Sequence, residues 1–99
     1  MPTLAFDASP LGPATTVHAD GPLIDICDDA RAPVDFSCRA ATCGTCLVEV
    51  LAGGDLLDPP GPAERDLLAL LGAPAASRLA CQAVVRAAPG LVRVRWSPR

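Results

Sequence analysis

Cys38, Cys43, Cys46 and Cys81 are the side chains of this 99-residue chain best suited to chemistry. Four residues separate the first two, two separate Cys43 from Cys46, and thirty-four separate Cys46 from Cys81. Thiolates are soft anionic ligands, and four of them converging describe a metal centre. A structural zinc ion would accept four thiolates, but zinc ribbons usually pair two short CxxC knuckles, and here Cys81 stands alone. Two irons bridged by two sulfides also need four thiolates, two per iron. One tightly curled loop can supply three of them, and a distant segment supplies the fourth. A coloured protein would carry iron, whereas zinc–thiolate is colourless.

The loop fits the binuclear centre. Arg39-Ala40-Ala41-Thr42 and Gly44-Thr45 are nearly all small, so the backbone can approach the sulfurs closely, and Gly44 admits backbone angles closed to other residues. Successive N–H groups would face the centre as a nest faces an anion. That matters because an oxidised [2Fe–2S] centre with four thiolates carries about two negative charges and reduction adds another. The hydroxyls of Ser37, Thr42 and Thr45 are further candidate donors to the sulfurs. The C-x₄-C-x₂-C…C spacing is that of plant-type [2Fe–2S] centres, which places the expected potential on the order of −400 mV.

Short elements must hold these four residues. Thr3–Phe6 and Thr15–His18 read as strands joined by a Pro- and Gly-bearing turn, with Leu4, Phe6 and Val17 inward and His18 on the opposite face from Val17. A helix is expected at about 22–30, opened by Pro22, with Leu23, Ile24, Ile26, Cys27 and Ala30 as its apolar stripe. The cysteine loop runs from Ser37 to Cys46, and Leu47 to Leu51 forms a strand ended by Gly53-Gly54. Pro62 opens a second helix, filled by Leu67, Leu68, Leu70 and Leu71 and stopped by Gly72. Its first-turn acids, Glu64 and Asp66, suit the helix dipole. Arg78–Val85 reads as one strand. In Leu91–Trp96, Val92, Val94 and Trp96 alternate with Arg93 and Arg95. This order predicts an α+β fold in which a mixed sheet is packed by one main helix and a second short one.

Composition narrows the function classes. Half the residues are hydrophobic (51%) but only Phe6, Phe36 and Trp96 are aromatic, so the core is aliphatic. Residues 1–50 carry seven acids against two arginines, residues 51–99 four acids against six arginines, and lysine is absent. An acidic chain with three aromatics offers no face for nucleic acid. The longest apolar stretch, Leu67 to Ala76, is too short for a span and is broken by Gly72 and Pro74, so no membrane insertion is expected. MPTLAFDASP lacks the basic flank and apolar run of a signal peptide. A cytoplasmic location, where five cysteines stay reduced, is expected. Cys27 reads as a small buried hydrophobe rather than a redox thiol. His18 reads as a solvated strand residue, and one histidine cannot build a Rieske centre, which needs two.

Cys38-Arg-Ala-Ala-Thr-Cys43-Gly-Thr-Cys46 resembles the cluster loop of the [2Fe–2S] ferredoxins with plant-type cysteine spacing, and Arg78-Leu-Ala-Cys81-Gln82 resembles their fourth-ligand segment. The resemblance extends over nearly the whole chain and implies the β-grasp fold in a single domain, residues 1–99. It makes Cys38, Cys43, Cys46 and Cys81 the ligands of one [2Fe–2S] cluster, Cys38 and Cys43 on one iron, Cys46 and Cys81 on the other. Ala41 departs from it, standing where many members have glycine. The RLACQ segment is more similar to bacterial ferredoxins and oxygenase reductase domains than to chloroplast proteins. The implied function is that of a monomeric, non-enzymatic one-electron carrier between a flavin-dependent ferredoxin reductase and a metal-containing redox acceptor, such as an oxygenase or cytochrome P450. The acids Asp25, Asp28, Asp29, Asp35, Glu64 and Asp66 would dock that reductase or acceptor, or simply be solvated. Arg93 and Arg95 offer a rival docking face. Two alternatives stand beside this reading: a cluster-bearing subunit of a multicomponent oxidoreductase, which would co-purify with a larger subunit, and a zinc-stabilised interaction module.

Overall fold

The computed structural model describes residues 2–34, 46–74 and 76–96. In chain order the elements are β1 (Thr3–Phe6), β2 (Thr15–His18), β3 (Gly21–Pro22), α1 (Leu23–Ala30), β4 (Leu47–Ala52), a 3₁₀ turn (Gly54–Leu56), α2 (Pro62–Leu71), β5 (Ser77–Leu79), β6 (Val84–Val85) and β7 (Leu91–Trp96). Five strands form one mixed sheet in the order β2-β1-β7-β4-β5, and β3 pairs with β6 in a separate two-stranded ribbon. At the centre β1 runs parallel to β7, with Leu4 opposite Val92 and Phe6 opposite Val94, while the other pairs are antiparallel. A helix-packed mixed sheet with a central parallel pair is the β-grasp arrangement.

Period-two alternation decides which face of the sheet is wet. Leu4, Phe6, Val48, Val92, Val94 and Trp96 are buried on one face. Arg93 and Arg95 are exposed on the other, as the alternation predicts. Leu23, Ile26 and Cys27 of α1 and Leu67 of α2 join the same core. Both helices end in left-handed residues, Arg31 and Gly72. The amides of Ala32 and Ala73 return to Cys27 O and Leu68 O and satisfy the terminal carbonyls. Gly53 is required by a close approach: its φ is +75° and a Cβ there would collide with the carbonyl oxygen of Leu91.

Two expectations need correction, and the structure adds elements that the sequence does not announce. The single strand expected over Arg78–Val85 is two strands, β5 and β6, because residues 80–82 form a turn that carries Cys81. The β3–β6 ribbon and the 3₁₀ turn have no periodic signal in the sequence and were not anticipated. Leu70 does not fill the inner face of α2 but is 82% exposed, because it falls off the 64–67–68–71 stripe.

Cys27 lies in the core, 3% exposed, and burial aided by the Asp28 charge pushes its thiol up to about 12. It is therefore a neutral thiol at physiological pH and a poor nucleophile. Cys27→Ala is expected to leave the visible spectrum of the metal-loaded protein unchanged while costing roughly 1 kcal/mol of stability. A bleached variant would show instead that this thiol takes part in the centre.

Candidate iron–sulfur site

Two of the four candidate ligands lie among the described residues. Cys46 is the buried residue that leads into β4, and Cys81 sits half-buried in the turn after β5. Cys38, Cys43, Phe36, Asp35 and the hydroxyl donors Ser37, Thr42 and Thr45 lie outside the described residues, as do Gly44 and Ala41. β4 and β5 are adjacent and antiparallel, with Leu47 opposite Leu79, so the residues just outside that register meet. The Ala80 amide donates to the carbonyl oxygen of Cys46 at 3.1 Å, and the Cys81 amide donates to Cys46 Sγ at 3.3 Å. Residues 35 apart in sequence are thereby clamped side by side.

The turn that presents Cys81 has a partner for every backbone donor from 79 to 83. The Leu79 amide donates to Glu64 Oε2 at 2.9 Å, and the Gln82 and Ala83 amides both return to Leu79 O at 2.9 Å. The Leu23 amide, at the start of α1, donates in turn to Ala83 O, which ties the far end of the segment down. A turn so constrained is preorganised, so ligand binding need not order it.

Beneath the turn lies a buried ion pair. Glu64, 2% exposed on α2, takes Arg78 Nε at 2.7 Å on Oε2 and Arg78 Nη2 at 3.1 Å on Oε1. This is the bidentate fork that matches guanidinium to carboxylate. With the Leu79 amide as a third donor, one carboxylate fixes α2 to the strand that delivers Cys81. Glu64 is thus removed from the exposed acids offered above for docking. Burial excludes it from any surface role.

The chemistry of the donor set suits a sulfur-ligated anionic centre. Burial pushes the Cys46 thiol up to about 12, only partly opposed by the hydrogen bond from the Cys81 amide. A thiolate at this position would need a cation in direct contact, which the ferric ions of a cluster would supply. The carboxamide of Gln82 points at the other sulfur, its Nε2 lying 3.7 Å from Cys81 Sγ. The sulfurs of Cys46 and Cys81 both accept N–H donors, as thiolates carrying a cluster's negative charge would require.

His18 is exposed and exchanges a hydrogen bond of 3.1 Å with Thr3 Oγ1, consistent with a solvated strand residue. The rival basic face is neutralised. Arg93 binds both carboxylate oxygens of Asp7 and holds that carboxyl below the usual range, and Arg95 pairs with Glu49. Among the described residues no helix is long and apolar enough to cross a membrane.

Comparison with known proteins agrees with this geometry. The ISC-like [2Fe–2S] ferredoxin FdxB of Pseudomonas putida superposes with a TM-score of 0.82 at 26% identity, over 96% of this chain and 91% of that one. A ferredoxin of Rhodopseudomonas palustris HaA2 gives 0.61 at 27% identity, over 95% and 94%. The ferredoxin of Trichomonas vaginalis gives 0.59 at 17% identity, over 92% and 98%, and shares the fold. No curated protein matches the chain. The family model for the 2Fe-2S iron-sulfur cluster binding domain matches residues 8–86, a stretch that contains all four candidate cysteines. That match sets the zinc reading aside. The chain belongs to the [2Fe–2S] cluster-binding ferredoxin family, whose members carry electrons rather than catalyse reactions, and its cofactor is one [2Fe–2S] cluster.

Proposed function

We propose that Cys38, Cys43, Cys46 and Cys81 hold the cluster. The domain would accept one electron from a flavin-dependent reductase and deliver it to a metal-containing acceptor such as an oxygenase or cytochrome P450. The observation that carries the ligand assignment is the amide of Cys81 on the sulfur of Cys46, which brings the loop's last cysteine and the distant fourth one to a single point. When bound, the cluster supplies a one-electron couple in which one ferric ion becomes ferrous. The chain's own part is to hold four sulfurs in place, direct N–H donors at them and present one edge of the site to a partner.

Charge pairing favours one docking face. Arg78, Arg86, Arg93 and Arg95 are each tied to a carboxylate, so the arginine-rich half of the chain projects little net field. Asp20, Asp25 and Asp29, by contrast, line a groove of about 410 Å³ between β2 and α1, floored by Val17, Ile26 and Ala30 and, among the described residues, without an arginine in its lining. A basic patch on the reductase would complement it, and steering of this kind speeds encounter by roughly 10- to 1,000-fold.

The test is electron transfer from a purified flavin-dependent ferredoxin reductase, followed by paramagnetic resonance of the reduced protein. At low salt, Asp25→Asn with Asp29→Asn is expected to slow the bimolecular rate by about three- to tenfold. Raising salt should slow the native protein toward the variant. A rate indifferent to both salt and the two substitutions would rule out docking through this face. A protein that co-purifies only with a larger subunit would move the reading to a component of a multicomponent oxidoreductase.

A further inference from the structure

Gln82 is the residue after Cys81, and its side chain does no evident work for the fold. It is exposed, belongs to no strand and adds nothing to the core. Its backbone amide already closes the turn onto Leu79 O. The carboxamide nevertheless folds back along its own chain so that Nε2 lies 3.7 Å from Cys81 Sγ, within reach of a hydrogen bond to sulfur. An exposed glutamine has several rotamers open to water, and ordering one of them costs conformational entropy. The sulfur is the group it meets.

We propose that Gln82 sets the reduction potential of the site. This rests on the assignment of Cys81 as a ligand. The amide N–H is a neutral donor aimed at a sulfur that shares the negative charge of the centre. Reduction adds one negative charge, so the bond is stronger in the reduced state than in the oxidised one. Gln82 therefore raises the potential. Cys46 Sγ receives its donor from the main chain, the Cys81 N–H, which no side-chain substitution removes. At Cys81 the donor is a side chain, so the sequence can adjust the potential there without disturbing the turn. Because Cys81 is only partly buried and Gln82 is exposed, this donor also lies where a docked partner could contact it. A partner that engaged the carboxamide would weaken its hold on sulfur and lower the potential of the carrier in the complex.

Gln82→Met removes the donor with little change in length or charge, and Gln82→Leu removes it with a shorter apolar side chain. Redox titration of the loaded proteins is expected to show the reduced-to-oxidised ratio at a fixed potential falling about threefold in both. At 59 mV per decade for one electron this is a shift of about 28 mV to more negative potential. Iron and sulfide content and the visible bands of the oxidised protein should be unchanged. Intact clusters with a potential equal to that of the native protein in both variants would overturn the role of Gln82. A shift to more positive potential would overturn it equally. Failure of the ligand assignment has a different signature: Cys81→Ala would then keep iron and sulfide, whereas failure of the Gln82 proposal leaves the Cys81→Ala result untouched.

Discussion

Glu64→Ala is expected to destabilise the fold as much as truncating a core side chain. The carboxylate is 2% exposed and has three N–H donors directed at it, two from Arg78 and one from the Leu79 backbone. Truncation leaves the Arg78 guanidinium, itself only 12% exposed, without its counter-charge, and leaves the Leu79 amide without an acceptor. Removing one partner of a buried pair costs about 3–5 kcal/mol. Whole domains are stable by only about 5–15 kcal/mol, so the metal-free variant should approach the unfolded state. Glu64→Gln keeps an acceptor for Leu79 and should lose less. Arg78→Met combined with Glu64→Leu removes both charges and should recover part of the loss, since apolar replacements of a buried pair are often near neutral. Urea denaturation of the four proteins measures this. A Glu64→Ala loss below about 1 kcal/mol would show that the pair is not what anchors β5 to α2.

The fold was legible where periodicity is strong and lost where pairing is non-local. β7 announces itself through Val92, Val94 and Trp96 against Arg93 and Arg95, and α1 through Leu23, Ile26 and Cys27. β3 and β6, two residues each, exist only because Gly21 meets Val85 and Pro22 meets Val84 across the molecule, which no local pattern encodes. The turn at Cys81 was hidden for the same reason. Leu79–Val85 is apolar enough to read as a continuous strand, and only the return of the Gln82 and Ala83 amides to Leu79 O breaks it.

Glu64 reads as a first-turn acid yet is 2% exposed, and the sequence carries a signal for that burial. Its place in the first turn of α2 suits the dipole, which suggested a solvated acid. Extending the stripe of Leu67, Leu68 and Leu71 back by one turn lands on residue 64, so the same periodicity that expels Leu70 to 82% exposure draws Glu64 inward. A carboxylate on a buried stripe needs a cation, and the structure supplies Arg78, the first residue of the fourth-ligand segment. The cysteine quartet is proposed from its spacing and from the family resemblance, because the valence of a binuclear cluster is a local, countable demand. Gln82 could not be recognised from spacing, since its reach to sulfur depends on the turn that the strand reading concealed.

Cys81→Ala and Cys46→Ala are both expected to abolish the visible bands and the paramagnetic signal of the reduced protein, and to lower the denaturation midpoint sharply relative to the loaded native chain. A cluster held by these cysteines would stabilise the folded state it binds, so on the proposed assignment a lost ligand is also lost stability. The two variants should then differ from each other once metal is out of the comparison. In the metal-free state Cys81→Ala keeps every backbone bond of its turn, because the amides of residues 79 to 83 donate to Glu64, Cys46 and Leu79 and none of them needs the Cys81 sulfur. Its stability should match that of metal-free native protein. Cys46→Ala removes the acceptor of the Cys81 amide and empties a buried position, 3% exposed, against the core. A further loss of about 1–3 kcal/mol is expected for the orphaned donor and the cavity together. Chelator-treated samples of the two variants, unfolded side by side in urea, measure the difference. Equal midpoints would mean that the Cys81 amide does not depend on the sulfur of Cys46, and the clamp between β4 and the fourth-ligand turn would have to be built by the iron rather than ready before it.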